Sequence, residues 1–588
     1  MNNKFEEQEF SKNFDLKVWK RLFSFLRKFV WNFIIAIGSI LLITIIDATY
    51  PILTKIAIDN FIIPRTTEGI HWLIIGAVSL IVLQAFMVYI MIIINGKTDA
   101  GVPYLMRKTL FKKMQSLSLS YFNRTPSGWL MARLSSDIRK IGNALTWNVM
   151  IDFSWALFTM TFVAISMFVM NWKLAFVAMA AIPVLIFISF IFQSLILKSY
   201  RNVRKTNSNI INGFSEGISG AKTIKTLVVE DTFVDEFKDL TAEMKKYSIR
   251  TGIITSIYTP IVVTVGMCGT ALVLWQGGIW TLNDTVSLGT LSAFISYTAQ
   301  FFDPVKQLAR ILGELQSTQA SAERVFSLLD VEPDVVNQEC DDCPEIHGEI
   351  EFQNVSFSYE GDESEVLKDF NLKIAVGETI AVVGETGSGK TTIANLVSRF
   401  YEPVSGKILI DGHDYTKMPL LWIQSNLGYV LQDPHLFNGT IYENIIYSNA
   451  DATFEHVQEA AKLVNAYDFI MNLENGFETN VGERGSRLSI GERQLISFAR
   501  AILARPKIII LDEATSSVDT ETEHLIKDAI EKILSGRTSL IIAHRLSTIR
   551  FADRILVIDA GKIVEEGNHD ALMLKRGRYF RLYTNQFV

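Results

Sequence analysis

The sequence predicts an α-helical membrane domain of six transmembrane helices with long cytoplasmic extensions, followed by an α/β domain built around a phosphate-binding loop. Three observations carry this expectation. Six apolar segments of bilayer length lie before residue 305. A Gly-rich loop, Gly384-Glu385-Thr386-Gly387-Ser388-Gly389-Lys390-Thr391, sits between an apolar strand-like run and a helical one. The 588 residues are too many for one domain and suit two to four.

Composition narrows the function classes. Apolar residues make up 49% and charged residues 20%, and the apolar excess lies almost wholly before residue 305. The net charge of −6 gives no electrostatic footprint for a nucleic acid. Three cysteines in so long a chain exclude a disulfide scaffold. Cys340 and Cys343 form a C-x-x-C near His347, but no second pair completes a zinc site, so a solvated linker is the expectation there. The first apolar segment follows a charged stretch and is too long for a signal-peptide core.

A spanning helix needs roughly 20 apolar residues. The segments near 29–50, 71–94, 146–170, 174–197, 253–277 and 285–302 qualify. Lysine and arginine crowd the long loops after the second and fourth segments, whereas the opposite loops hold only Lys55, Arg65 and Lys173. Both termini and both long loops are therefore expected in the cytoplasm. Before the first span, Leu16, Trp19, Leu22, Phe23 and Leu26 recur at helical spacing among basic residues, which predicts an amphipathic helix over 15–28 on the membrane surface. Short helices near 116–122 and 214–221 are expected beside breaks in the two cytoplasmic loops, as the places where those loops contact the ATP-hydrolysing domain. Asp47 falls at a span end and Asp152 near a span start, so interfacial positions compete with a transport role for both.

From about residue 340 short apolar runs alternate with helical stretches. Ile350–Tyr359 and Glu378–Val383 read as strands, and Thr391–Tyr401 as the helix after the Gly-rich loop. Glycines there let backbone N–H groups close on phosphates at the positive end of a helix. Lys390 would supply a cation to the β- and γ-phosphates and Thr391 a hydroxyl to Mg²⁺. Ile508 to Glu513 is an apolar run ending in two acids: Asp512 would hold Mg²⁺, and Glu513 would act as general base on the attacking water. His544 follows another apolar run and is placed to reach a γ-phosphate. A strand-end acid or a lone histidine is common structural furniture. Their order and spacing after the Gly-rich loop make ATP chemistry the expectation.

With these motifs in place, residues 350–588 resemble the nucleotide-binding domain of an ATP-binding cassette (ABC) transporter, and the segment before them resembles the membrane domain of an exporter-type half-transporter. The resemblance covers nearly the whole chain. It implies a cytoplasmic N-terminus with an elbow helix at 1–28, a six-helix transmembrane domain at 29–320, a linker at 321–347 and an ABC nucleotide-binding domain at 348–588. It also implies Tyr359 stacking on adenine, Gly384 to Lys390 with Thr391 and Thr392 around the phosphates, and Gln432 contacting Mg²⁺. Ser516 to Asp519 resembles the loop that crosses the dimer interface, and Gly482 to Gly485 resembles the exporter segment that touches the cytoplasmic loops. Leu488 to Gln494 is the signature, with Ser489 and Gly491 facing ATP held by the partner's phosphate loop.

The signature reads Leu488-Ser489-Ile490-Gly491-Glu492 where the family has Leu-Ser-Gly-Gly-Gln. Ile490 puts a branched side chain where backbone should approach a phosphate, and Glu492 puts an anion near a polyanion. At about 5 Å and an effective dielectric near 20 such repulsion is on the order of a few kcal/mol. A sound catalytic half-site beside a weak signature suggests one subunit of a heterodimer, the partner being a second ABC half-transporter. The expected activity is ATP-driven export of hydrophobic or amphipathic small molecules across a bacterial inner membrane. A homodimer, a peptide exporter and an ATP-gated channel or regulator remain open at this point.

Overall fold

The computed structural model describes residues 15–340, 343–359, 364–512, 520–543 and 549–587. They form two compact units, one of residues up to 115 with Pro126–Val331, the other of Ser116–Thr125 with Glu332 onward.

The first unit is all helix. Leu16–Leu26 buries Trp19, Leu22 and Leu26 and begins at Asp15, whose carboxylate accepts the Lys17 N–H at 2.8 Å. Its Arg21 holds both oxygens of Asp330 at 2.6 Å and lies over the Phe326 ring at 4.4 Å. That hydrogen-bonded pair keeps the Asp330 carboxyl below its ordinary range. The helix Ile70–Gln115 has 46 residues and Glu230–Leu282 has 53. At about 1.5 Å per residue these are roughly 70 and 80 Å long, more than twice the roughly 30 Å of a hydrocarbon core. Uniformly apolar sequence is needed only over the part in lipid.

Among the described residues five helical runs are long and apolar enough to cross a membrane, namely Leu16–Ile62, Ile70–Gln115, Ser127–Met170, Trp172–Ser219 and Glu230–Leu282. The sixth expected span, 285–302, opens the helix Leu288–Leu329, which falls short of that apolarity. Its Ala293, Phe294 and Tyr297 are fully buried, and Tyr297 donates its hydroxyl to the Ala48 carbonyl. A helix enclosed by its neighbours faces less lipid and tolerates more serine, threonine and glutamine. The second cytoplasmic break is also displaced. Ala181–Ser219 continues through 214–219 and stops at Gly220, whose ψ of 4° leaves the helical range, and the short helix is Ala221–Leu227 rather than 214–221.

Asp137 is 3% exposed. It receives Arg324 at 2.6 and 3.0 Å, with Arg133 at 3.9 Å. The Arg133 guanidinium also caps the Trp129 ring at 3.7 Å. A buried charge is tolerated only when paired.

The second unit contains two sheets. One is antiparallel, with β1 (Ile350–Phe357), β2 (Leu367–Ile374), β4 (Ser405–Ile410) and β5 (His413–Asp414) in the order β2-β1-β4-β5. The other contains β3 (Thr379–Val383), β6 (Leu427–Val430), β7 (Ile508–Asp512), β8 (Thr538–Ile542), β9 (Arg554–Asp559) and β10 (Lys562–Gly567) in the order β10-β9-β3-β8-β7-β6. From β9 to β6 all neighbours are parallel. Strands β3 and β8 are buried at every position and β7 at all but Asp512, because both faces of the sheet are covered. β1 ends at Phe357, two residues before the expected Tyr359, and the helix after the Gly-rich loop is Lys390–Val397, stopped at Ser398 before Arg399 turns to φ 53°.

Asp137→Asn should destabilise the membrane unit by on the order of 3 kcal/mol, because it removes the buried carboxylate charge that Arg324 meets at 2.6 Å. A fall in the thermal midpoint of the detergent-solubilised protein, absent in Asp330→Asn, checks this.

Candidate nucleotide site

Parallel strands place their carboxyl ends on one edge, and that edge gathers the candidate residues. From β3 the chain enters Gly384–Gly389. A Cβ at Gly384 would lie 2.3 Å from the Ile558 carbonyl oxygen, so no larger residue fits. Gly387 has open space around it but φ 84°, and there the demand is conformational. Lys390 is buried at the first turn of its helix, and its Nζ donates to the Gly384 and Glu385 carbonyls at 2.8 Å each. Burial lowers its pKa, and the Asp512 charge works against that shift.

The loop fits a phosphate chain. Ser388 Oγ is buried with no hydrogen-bond partner among the described residues, which suits an oxyanion. Thr391 is exposed beside it, and Thr392 is buried with its hydroxyl 3.1 Å from that of Tyr359. The Tyr359 ring packs edge-on to Phe357 at 4.9 Å and to Tyr401 at 5.2 Å. Asp512 is partly exposed at the end of β7, and Gln432 is exposed just after the adjacent β6. Thr391, Gln432 and Asp512 all carry hard oxygen donors of the kind Mg²⁺ takes. Glu513, His544 and Ser516 to Asp519 lie outside the described residues.

The signature occupies a helix start. Ser489 caps Ile490–Leu503: its hydroxyl accepts the Glu492 N–H at 3.2 Å, and the Glu492 carboxylate accepts the Ser489 N–H at 2.8 Å. This reciprocal pair is a capping box. The Glu492 carboxylate is thus held by the backbone of its own helix start. Gly491 is buried, and Ile490 is 39% exposed at the first helical position.

Sequence reasoning missed one neighbour, Tyr429, and anticipated another, the short helix near 116–122 that belongs to this unit. Tyr429 on β6 has its hydroxyl pKa raised by burial and by the Asp512 charge. The helix Leu119–Arg124 packs within this unit, where Ser120 and Arg124 bond Asp334 and Asn123 donates to the Tyr401 hydroxyl at 2.9 Å. The break at Thr125-Pro126 flagged the helix, but no local pattern could name its contacts. Cys343 packs against the sheet core near Cys340, while the His347 N–H is taken by Asp411 at 2.6 Å. Among the described residues no cluster of three or more His, Cys, Asp or Glu is placed to hold a metal.

Residues 33–305 match the family model of the ABC transporter transmembrane region, and residues 367–516 match that of the ABC transporter. Over 585 residues, 99% of this chain and 96% of the relative, the sequence is 35% identical to the ATP-dependent lipid A-core flippase of Syntrophus aciditrophicus. It is 37% identical over 551 residues, 93% of this chain and 91% of the relative, to the ABC transporter ATP-binding protein YknV of Bacillus subtilis. It is 36% identical over 510 residues, 86% of this chain and 80% of the relative, to the fatty acid ABC transporter ATP-binding/permease protein of Mycobacterium tuberculosis. The chain belongs to the ABC transporter family, as an exporter-type half-transporter: a multi-pass membrane protein that binds ATP and couples its hydrolysis to transport, with a C-terminal cytoplasmic ATPase domain.

Gly384→Ala should weaken ATP binding by at least about tenfold, or roughly 1.4 kcal/mol, because the methyl group must displace the loop from Ile558. Displacement of a fluorescent ATP analogue measures this.

Proposed function

We propose that this chain is one subunit of an asymmetric heterodimer that exports hydrophobic or amphipathic compounds, with ATP hydrolysed at a composite site shared with a second ABC half-transporter. The observation that carries this reading is the contrast between an intact phosphate loop and a signature bearing Ile490 and Glu492. The capping box sharpens it. Glu492 tied to the Ser489 N–H stabilises its own helix start. The same negative charge then occupies the end at which a partner-bound phosphate would be received. The site using this signature would hold ATP and hydrolyse it poorly, whereas the partner's signature would complete the site on this chain's phosphate loop.

In that second site Tyr359 stacks on adenine, and the Gly384 to Gly389 amides, the Ser388 hydroxyl and Lys390 hold the phosphates, with Thr392 in support. Thr391, Asp512 and Gln432 would hold Mg²⁺, which supplies charge neutralisation at the phosphoryl oxygens. Glu513 orients the attacking water and His544 meets the γ-phosphate. The relatives named for lipid A-core and fatty acid support a hydrophobic or amphipathic cargo.

Purification of the tagged chain from its native membrane should bring a second, different cassette subunit at one to one; a complex containing this chain alone would overturn the heterodimer. In inverted vesicles Glu513→Gln should abolish ATP-driven uptake while ATP binding persists, and unchanged uptake would remove that residue from catalysis. In the intact complex, Ile490→Gly with Glu492→Gln should raise the rate of ATP hydrolysis.

A further inference from the structure

The helices Val30–Ala57 and Ile70–Gln115 are apolar along their membrane stretches, yet three polar side chains meet between them. The Tyr50 hydroxyl donates to Gln84 Oε1 at 2.7 Å, and Gln84 Nε2 donates to Asp47 Oδ1 at 2.8 Å. Asp47 stands ten residues inside the Ala57 end, about 15 Å along the helix. The helix continues past Asp47 through Pro51 to Ala57. Gln84 stands 14 residues after Ile70, about 21 Å along its own helix.

Asn32, near the start of the same helix, donates to the Thr98 hydroxyl at 3.2 Å, and the serine and threonine hydroxyls close on their own helix. Ser39, Thr44, Thr49 and Thr54 each bond a carbonyl of their own helix. Asp47 differs: it has no lysine, arginine or histidine in ion-pair range among the described residues, and its hydrogen bond from Gln84 engages only Oδ1. It is partly exposed, as are Tyr50 and Gln84. An acid at this depth without a basic partner is costly and marks a functional group.

Donor and acceptor counting defines what fits. Once Tyr50 and Gln84 have spent their hydrogens internally, one Gln84 N–H is left as a donor. The rest of the capacity is acceptor: Asp47 Oδ2 and further lone pairs on Asp47, Gln84 and Tyr50. Such a site suits a cation with several N–H groups and repels a carboxylate. We infer that Asp47, Gln84 and Tyr50 form an intramembrane subsite for the protonated amine of a hydrophobic amine, whether a free compound or an amine-bearing lipid headgroup. This rests on the export reading above and narrows its cargo.

The test uses the full complex from its native membrane in phosphatidylglycerol nanodiscs, with dodecylamine, dodecanol and dodecanoate as tail-matched probes and calorimetric titration as the readout. Wild type should bind dodecylamine at least tenfold more tightly than dodecanoate. Asp47→Asn, which keeps an acceptor for Gln84, should remove that preference and leave dodecanol unchanged, and Asp47→Glu should restore much of it. Phosphatidylethanolamine added to the nanodisc distinguishes the source: competition with dodecylamine assigns the subsite to a lipid headgroup, and no competition to a free amine. Equal wild-type binding of amine and carboxylate overturns the inference without any variant, as does a preference that survives in Asp47→Asn. Binding is read without ATP, so failure of the coupled-export reading, seen as uptake unaffected by Glu513→Gln, is a separate result.

Discussion

Everything in the ATPase unit depends on the parallel packing of β3, β8, β7 and β6. Parallel neighbours end on the same edge, so the turns after four separated stretches of sequence open side by side. The Gly-rich loop emerges from β3, Asp512 ends β7, and Gln432 follows β6. Each turn alone is unremarkable polar chain. Their juxtaposition concentrates backbone N–H groups, one buried ammonium and hard oxygen donors, which is the charge pattern a nucleotide triphosphate requires.

The membrane unit obeys a different constraint, the absence of water to satisfy polar groups. Hydroxyls on the first span such as those of Thr44 and Thr49 return to their own carbonyls. Asp47, an acid held only by an amide, departs from this, as does the fully buried Asn95 side chain, which has no hydrogen-bond partner among the described residues. Where most polar groups in a structure are consistent with their surroundings, a group that breaks the rule points to use rather than packing. The same logic applies to Ile490, a branched side chain exposed at the first position of the signature helix.

Glu492 shows how local and global demands divide. For its helix it is a favourable N3 residue, closing a capping box with Ser489. For a partner's phosphate it is a like charge. Glutamine could supply the same backbone acceptor without the charge, so the helix start does not by itself require an acid.

The sequence alone determined what depends on short-range pattern. The Gly-rich loop, the apolar strand ending in Asp512 and the long apolar helices are written in consecutive residues, because backbone propensity, glycine geometry and lipid exposure act locally. Tertiary structure decided the rest. The less apolar sixth helix is explained by its enclosure, and the second short helix falls at Ala221–Leu227 because the backbone leaves the helical range at Gly220. Asp47 finds Gln84 across 37 positions, and Asn123 finds Tyr401 across 278. Those pairings are set by the relative register of packed elements, which no residue encodes in its immediate neighbours. Glu513 and His544 were legible as residue types at strand ends, and their positions lie outside the described residues.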